Sequence, residues 1–223
     1  MVKKKQQQPI KDLKMIDLNK LYSAPVGFSR IGIDNVIEEL IKFKHRMSEI
    51  DEAFFLTGGT CLGIIRDGCL IEHDSDLDIG IMNEESLYMI KKKLSKYYDE
   101  VEMADYTKGL NKYNGKRLWF KKYFGKWILP IEVMVHYTKN NYVFWNRGMG
   151  ESFKKKDWNR KGRCVWNKKL FDKFEKVRFA GEYFNVPSPV NEFLATLYGV
   201  SWKIPKVYKD WRYHCHNLHQ GWW

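Results

Sequence analysis

The residues best suited to chemistry lie in Leu56-Thr57-Gly58-Gly59-Thr60-Cys61-Leu62-Gly63-Ile64-Ile65-Arg66-Asp67-Gly68 and, just after it, Glu72-His73-Asp74-Ser75-Asp76-Leu77-Asp78-Ile79-Gly80. Asp76 and Asp78 stand two apart in an alternating run. On a strand such a pair points one way, with Cα atoms roughly 6.6–6.8 Å apart, near enough to converge on one or two hard cations. Burying the pair without a counter-charge is unfavourable, so packing alone does not account for it. Glu132 has the same phase in a second alternating run, residues 131–135, and adds a third oxygen if the two strands are neighbours. Three such carboxylates would hold Mg²⁺ or Mn²⁺. Upstream, Gly58-Gly59 lets the backbone approach an anion, and the N–H groups of a helix starting near Thr60 would face it. A cation clamp beside an amide cradle suits phosphoryl chemistry.

Asp-x-Asp alone is a common pattern, and the plain reading makes Asp74, Asp76 and Asp78 a solvated strand face with the glycines merely turning the chain. The order of strand, Gly-Gly turn, helix and acidic strand, with Glu132 in phase further on, is much rarer and favours the functional reading.

Those residues need elements to hold them. Val36, Ile37, Leu40, Ile41, Phe43, Met47 and Ile50 recur at helical spacing after Asp34, which the pattern makes the N-cap. Ala53-Phe54-Phe55-Leu56 reads as a short buried strand ended by the glycines. Alternation over residues 77–81 predicts a strand with Leu77, Ile79 and Ile81 on one face and Asp76, Asp78 and Gly80 on the other. Asn83 then caps a helix with Glu84 and Glu85 in its first turn and Lys91, Lys92, Lys93 and Lys96 later, the order that the helix dipole favours. Its buried stripe is Leu87, Ile90 and Leu94.

Residues 116–123 and 127–136 form a hairpin about Gly125, and residues 179–186 a second one. Residues 190–198 read as a helix ended by Gly199. Residues 140–167 are aromatic, basic and poorly periodic, and no elements are placed there. The sum is an α/β (α+β) domain whose mixed sheet carries the acids on one face and helices on the other.

Of 223 residues, 39 are Lys or Arg and 27 Asp or Glu, a net charge of +12. With 44% hydrophobic and 16% aromatic residues the chain can build a core, which excludes disorder for most of its length. No window approaches about 18 consecutive apolar residues, so no transmembrane segment is expected. The opening Met1-Val2-Lys3-Lys4-Lys5-Gln6-Gln7-Gln8-Pro9 lacks the apolar stretch of a signal peptide, and the irregular Cys61, Cys69, Cys164 and Cys215 read as reduced thiols. A cytoplasmic protein is therefore expected, with a basic tail over residues 1–25, one catalytic domain over 26–210 and an aromatic, His-containing tail over 211–223. The positive surplus suits anionic partners without choosing among them.

The pattern around Gly58-Gly59-Thr60, Leu62-Gly63 and Arg66, with Asp74-Ser75-Asp76-Leu77-Asp78-Ile79-Gly80, resembles the LicD/fukutin family of the nucleotidyltransferase superfamily. A second match is similar to that family's closing signature: Val186-Pro187-Ser188, Phe193-Leu194, Leu197-Tyr198-Gly199, Trp202 and Pro205. The two matches together span roughly residues 52–205.

The resemblance implies a nucleotidyltransferase-like fold and metal-dependent transfer of a phospho-alcohol, such as phosphocholine or ribitol phosphate, from a CDP-activated donor to a glycan hydroxyl. Asp76, Asp78 and Glu132 would then be metal ligands, Gly58, Gly59 and Thr60 would border the donor phosphates, and Arg66 would support the site. His73 replaces the usual Trp, Ser75 an Asp that should point away from Asp76, and Glu132 a commoner Asp.

Arg66 reads equally as an ion-pair partner of Asp67 or Glu72, and His73 as a packed or solvent-edge histidine. His214-Cys215-His216-Asn217-Leu218-His219 offers zinc donors, yet a closed structural site needs four ligands and no Cys-x-x-Cys exists elsewhere in the sequence to partner it.

Two other functions compete. One is nucleotidyl transfer from an NTP to a small molecule, protein or RNA. The other is a silent nucleic-acid-binding module using the basic surface and its aromatic residues. Carboxylates facing a groove repel phosphates unless a metal intervenes, which argues against nucleic acid as the partner.

Overall fold

A computed structural model describes residues 27–105, 116–146, 163–205 and 218–219. The basic tail, most of the C-terminal tail with His214, Cys215 and His216, and the middle of the aromatic segment lie outside the described residues.

A 3₁₀ turn, Gly27–Arg30, leads into helix α1, Ile33–Glu49. Its N-cap is Gly32 rather than Asp34. Gly32 adopts φ +89°, and its carbonyl accepts the N–H groups of Asn35 and Val36, so no side-chain cap is used. Asp34 instead sits in the first turn, where a negative charge complements the helix dipole. Val36, Leu40, Phe43 and Met47 supply the fully buried stripe.

The main sheet contains β1 (Phe55–Leu56), β2 (Leu77–Ile81), β3 (Glu100–Asp105), β4 (Lys116–Phe124) and β5 (Trp127–Val135). Their order is β1-β2-β5-β4-β3. Only β2 and β5 run parallel, which makes the sheet mixed. Helix α2 (Gly58–Asp67) follows β1, and α3 (Glu84–Leu94) follows β2. Asn83 caps α3 by accepting the N–H of Glu85, as its sequence position predicts.

Leu77, Ile79 and Ile81 share one buried core with Leu118, Phe120, Ile131 and Val133 of the neighbouring strands. Phe43 of α1 meets Phe120 with ring centroids 6.3 Å apart, and α3 buries Leu87, Ile90 and Leu94 in the same core. Helices therefore cover the apolar face of the sheet. The β4/β5 hairpin turns at Gly125, φ +59°, as expected.

The aromatic segment left without elements contributes two strands, Tyr142–Asn146 and Arg163–Asn167, to a second sheet. It is ordered β11-β8-β7-β6, from β6 (Tyr137–Lys139), β7 (Tyr142–Asn146), β8 (Arg163–Asn167) and β11 (Leu218–His219). Val143, Phe144 and Trp145 are buried in succession, as are Cys164, Val165 and Trp166. Burial on both faces removes the alternation that identifies a half-exposed strand. Strands β9 (Phe174–Phe179) and β10 (Glu182–Pro187) form the second hairpin, five residues longer at its start than its periodicity predicts. Helix α4 (Val190–Tyr198) ends at Gly199, and its Phe193 stacks on Trp166 at 5.3 Å. No helix among the described residues is long and apolar enough to cross a membrane.

Candidate active site

The parallel pairing of β2 with β5 sets Asp78 directly beside Glu132. One oxygen each from Asp76, Asp78 and Glu132 lies within 4.8 Å of the other two. Asp76 is the residue just before β2, so the trio spans a strand end and the strand beside it. Asp76 and Asp78 are half-buried and Glu132 is buried. This is an all-oxygen, multiply anionic set, which suits a hard divalent cation such as Mg²⁺ or Mn²⁺.

The protonation of the acids reflects their crowding. Burial first, then Glu132 and Asp74, push the Asp76 carboxyl up to about 7. Burial also holds Asp78 well above the ordinary carboxylate range, reinforced by Asp76, Asp74 and Glu132 and partly offset by the N–H of Gly59. Like charges this close disfavour full ionisation until a cation neutralises them.

The Gly-Gly segment serves the acids in a way the sequence does not announce. Helix α2 begins at Gly58, two residues before Thr60. The Gly59 N–H donates to Asp78 Oδ2 at 2.7 Å, so the amide expected to face an anionic ligand holds a carboxylate of the chain itself. Gly58 has φ +51°, and a Cβ there would lie 2.3 Å from Asp78 Oδ2. Thr60 is buried, and its Oγ1 accepts the Asp78 N–H at 2.8 Å. Asp78 is thus fixed through both backbone and side chain. Behind it, burial and then Asp78 push the Cys61 thiol far up, which keeps it protonated.

Arg66 makes a two-pronged contact with Asp67, its Nε and Nη2 donating at 2.8 and 2.6 Å. That is the ion-pair reading of this residue. His73 is exposed, its pKa lowered by partial desolvation and then by Arg66. Ser75 was expected to point away from Asp76, but its hydroxyl donates to Asp76 Oδ1 at 3.2 Å. It precedes the strand, so strand alternation does not govern it.

Two residues join the site without having been singled out. Asp74 is a fourth carboxylate, with its pKa raised to about 6 by burial. Its carbonyl accepts the N–H of Phe28, and a Cβ on Gly59 would fall 2.0 Å from its Oδ2. Arg117 is buried and donates from Nη1 to Glu132 Oε1 at 2.6 Å. The hairpin register could have revealed it, since pairing Phe124 with Trp127 puts Arg117 across from Met134, on the face that carries Glu132.

A mixed sheet with helices on its apolar face and three convergent acids on two neighbouring strands defines a nucleotidyltransferase-type domain. Residues 51–189 match the LicD/FKTN/FKRP nucleotidyltransferase domain, and the chain belongs to that family. It is 25% identical over 179 residues to the human ribitol-5-phosphate transferase FKTN, covering 74% of this chain and 32% of the relative. It is 24% identical over 203 residues to the Mus musculus protein of the same name, covering 80% of this chain and 38% of the relative. The chain thus spans about a third of the length of the curated relatives it matches.

Proposed function

We propose that the chain transfers a phospho-alcohol from a CDP-activated donor to a hydroxyl of a glycan acceptor, with Mg²⁺ or Mn²⁺ bound by Asp76, Asp78 and Glu132. The observation that carries this reading is the convergence of those three carboxylates across the parallel β2/β5 pair. Family membership and the relatives' printed activity, transfer of ribitol 5-phosphate, favour a polyol phosphate as the group moved.

In the reaction the acceptor oxygen bonds to the phosphorus bearing the alcohol, the bond from that phosphorus to the CMP oxygen breaks, and the acceptor's proton is released. Asp76, Asp78 and Glu132 would hold the divalent ion, which when bound would supply charge neutralisation at the reacting phosphate. The chain's residues set the geometry. Gly59 and Thr60 hold Asp78 by its carboxylate and its amide, and Arg117 holds Glu132. Gly58 and Gly59 pass so close to Asp78 and Asp74 that neither has room for a Cβ, which sets the turn against the acids, beside which the donor phosphates would bind. Thr60 would border the donor from its place beside Asp78, and Arg66 would support the site from its pairing with Asp67.

The test incubates the protein with Mg²⁺, CDP-ribitol, CDP-choline, NTPs and candidate glycans, and identifies products by mass spectrometry. CMP release with a phospho-alcohol mass gain on the acceptor supports the proposal. Pyrophosphate release with a nucleotide-sized gain would instead establish nucleotidyl transfer, which needs the same acids.

A further inference from the structure

The third acid does not stand alone. Arg117 Nη1 donates to Glu132 Oε1 at 2.6 Å, and both residues are only 7% exposed. The guanidinium carbon sits 4.6 Å from the ring centroid of Trp145, itself buried. Trp145 belongs to β7 of the second sheet, whereas Arg117 and Glu132 belong to the β4/β5 hairpin of the first. The contact therefore joins the two sheets at the acidic site.

A glutamate has one more rotatable bond than an aspartate and so reaches a cation in more than one way. A charge-assisted hydrogen bond to one oxygen removes that freedom and leaves the other oxygen for a ligand. A planar guanidinium can be held in this way by a flat ring on one side and a carboxylate at its edge, which a lysine ammonium cannot reproduce.

We infer that Arg117 is a positioning residue of the metal site: clamped by Trp145, it fixes Glu132 through Oε1 so that the remaining oxygen faces Asp76 and Asp78. The inference rests on the metal-site reading above. It explains how a Glu serves where the family commonly has an Asp. It also gives the second sheet a part in the chemistry without contact to the reacting atoms.

Two effects of Arg117 on a bound cation oppose each other. Its positive charge repels the ion, and its hold on Glu132 organises the ligand. If positioning dominates, removal weakens binding; if repulsion dominates, removal strengthens it. Outer-sphere partners of metal ligands are typically worth about 10–100-fold in affinity.

The experiment is a Mn²⁺ titration of the full chain, read from the electron paramagnetic resonance signal of the free ion, for wild type, Arg117→Met and Arg117→Lys. Thermal denaturation of each metal-free protein accompanies it. Arg117→Met is expected to bind Mn²⁺ at least tenfold more weakly, and Arg117→Lys, which keeps the charge but not the fork, about threefold more weakly. Tighter or unchanged binding by Arg117→Met, with or without a lower Tm, overturns the inference. Should Arg117→Met not fold, Arg117→Lys carries the test, and wild-type affinity in it overturns the inference. A wild-type chain that binds no Mn²⁺ defeats the metal-site reading and this inference together, whereas the ratio of variant to wild type addresses Arg117 alone.

Discussion

Gly59 donates its backbone N–H to Asp78 Oδ2 at 2.7 Å, and a side chain at Gly59 would begin 2.0 Å from Asp74 Oδ2. The tight turn is therefore shaped by the acids it touches. Gly59→Val places two branches where Asp74 and Asp78 now sit. The expected result is loss of Mn²⁺ binding by calorimetry in a protein that still unfolds cooperatively, with loss of turnover following from it. Unchanged Mn²⁺ affinity would show that the glycine serves the donor and not the acids.

Asp76→Asn and Glu132→Gln should part company in stability while agreeing in activity. Each removes a proposed cation ligand, and turnover is expected to fall by more than about 100-fold, since even outer-sphere partners cost about 10–100-fold. Without metal, near pH 8, Asp76→Asn relieves repulsion among Asp74, Asp76, Asp78 and Glu132, so its Tm should rise. Glu132→Gln leaves the buried Arg117 facing a neutral amide, so its Tm should fall. Equal Tm changes in the two variants would contradict this account of the charges.

Thr60 tests the hold on the Asp78 backbone. Its Oγ1 accepts the Asp78 N–H at 2.8 Å inside the core. Thr60→Val keeps the shape and leaves a buried N–H without its acceptor, at a cost of about 1–3 kcal/mol. At this chain length each kcal/mol moves Tm by about 2–4 °C. Thr60→Ser restores the acceptor and should recover most of the loss. A valine variant as stable as wild type would mean that Asp78 is positioned by other contacts.

The acidic strand and its partner were legible because Leu77, Ile79, Ile131 and Val133 alternate with Asp78 and Glu132, a period in residue type that survives although residues 131–135 of β5 are buried on both faces. Their parallel pairing was a conditional step, and the structure supplies it through Asp78 and Glu132. The strands of the second sheet were illegible for the opposite reason, their buried runs at Val143–Trp145 and Cys164–Trp166 showing no period. Side-chain traffic near the strand start also escaped pattern reading. Ser75 reaches Asp76, and the Gly59 amide goes to Asp78, because both depend on loop geometry that no periodicity encodes. Arg117 lay within reach of register arithmetic but carried no motif of its own.

The last prediction concerns pH and metal together. In the folded chain without metal, burial holds Asp74 near 6, burial and then repulsion from Glu132 and Asp74 hold Asp76 near 7, and burial and then its acidic neighbours hold Asp78 well above its ordinary value. The unfolded chain titrates these groups near 4. Between those values the folded state keeps protons that the unfolded state has lost, so stability is greatest at the acid end of this range and declines as pH rises through about 6 and 7. Divalent cations are expected to reverse the decline, since on the proposed reading they bind the ionised acids of the folded state and raise stability by mass action. Below the folded pKa values, binding must first expel protons, and the gain shrinks. The Tm increase given by excess Mg²⁺ or Mn²⁺ should therefore be small near pH 5.5 and large near pH 8, and Asp76→Asn should flatten both the metal-free decline and the metal gain. A metal-induced Tm shift of the same size at both pH values would reject the coupling between these carboxylates and the cation.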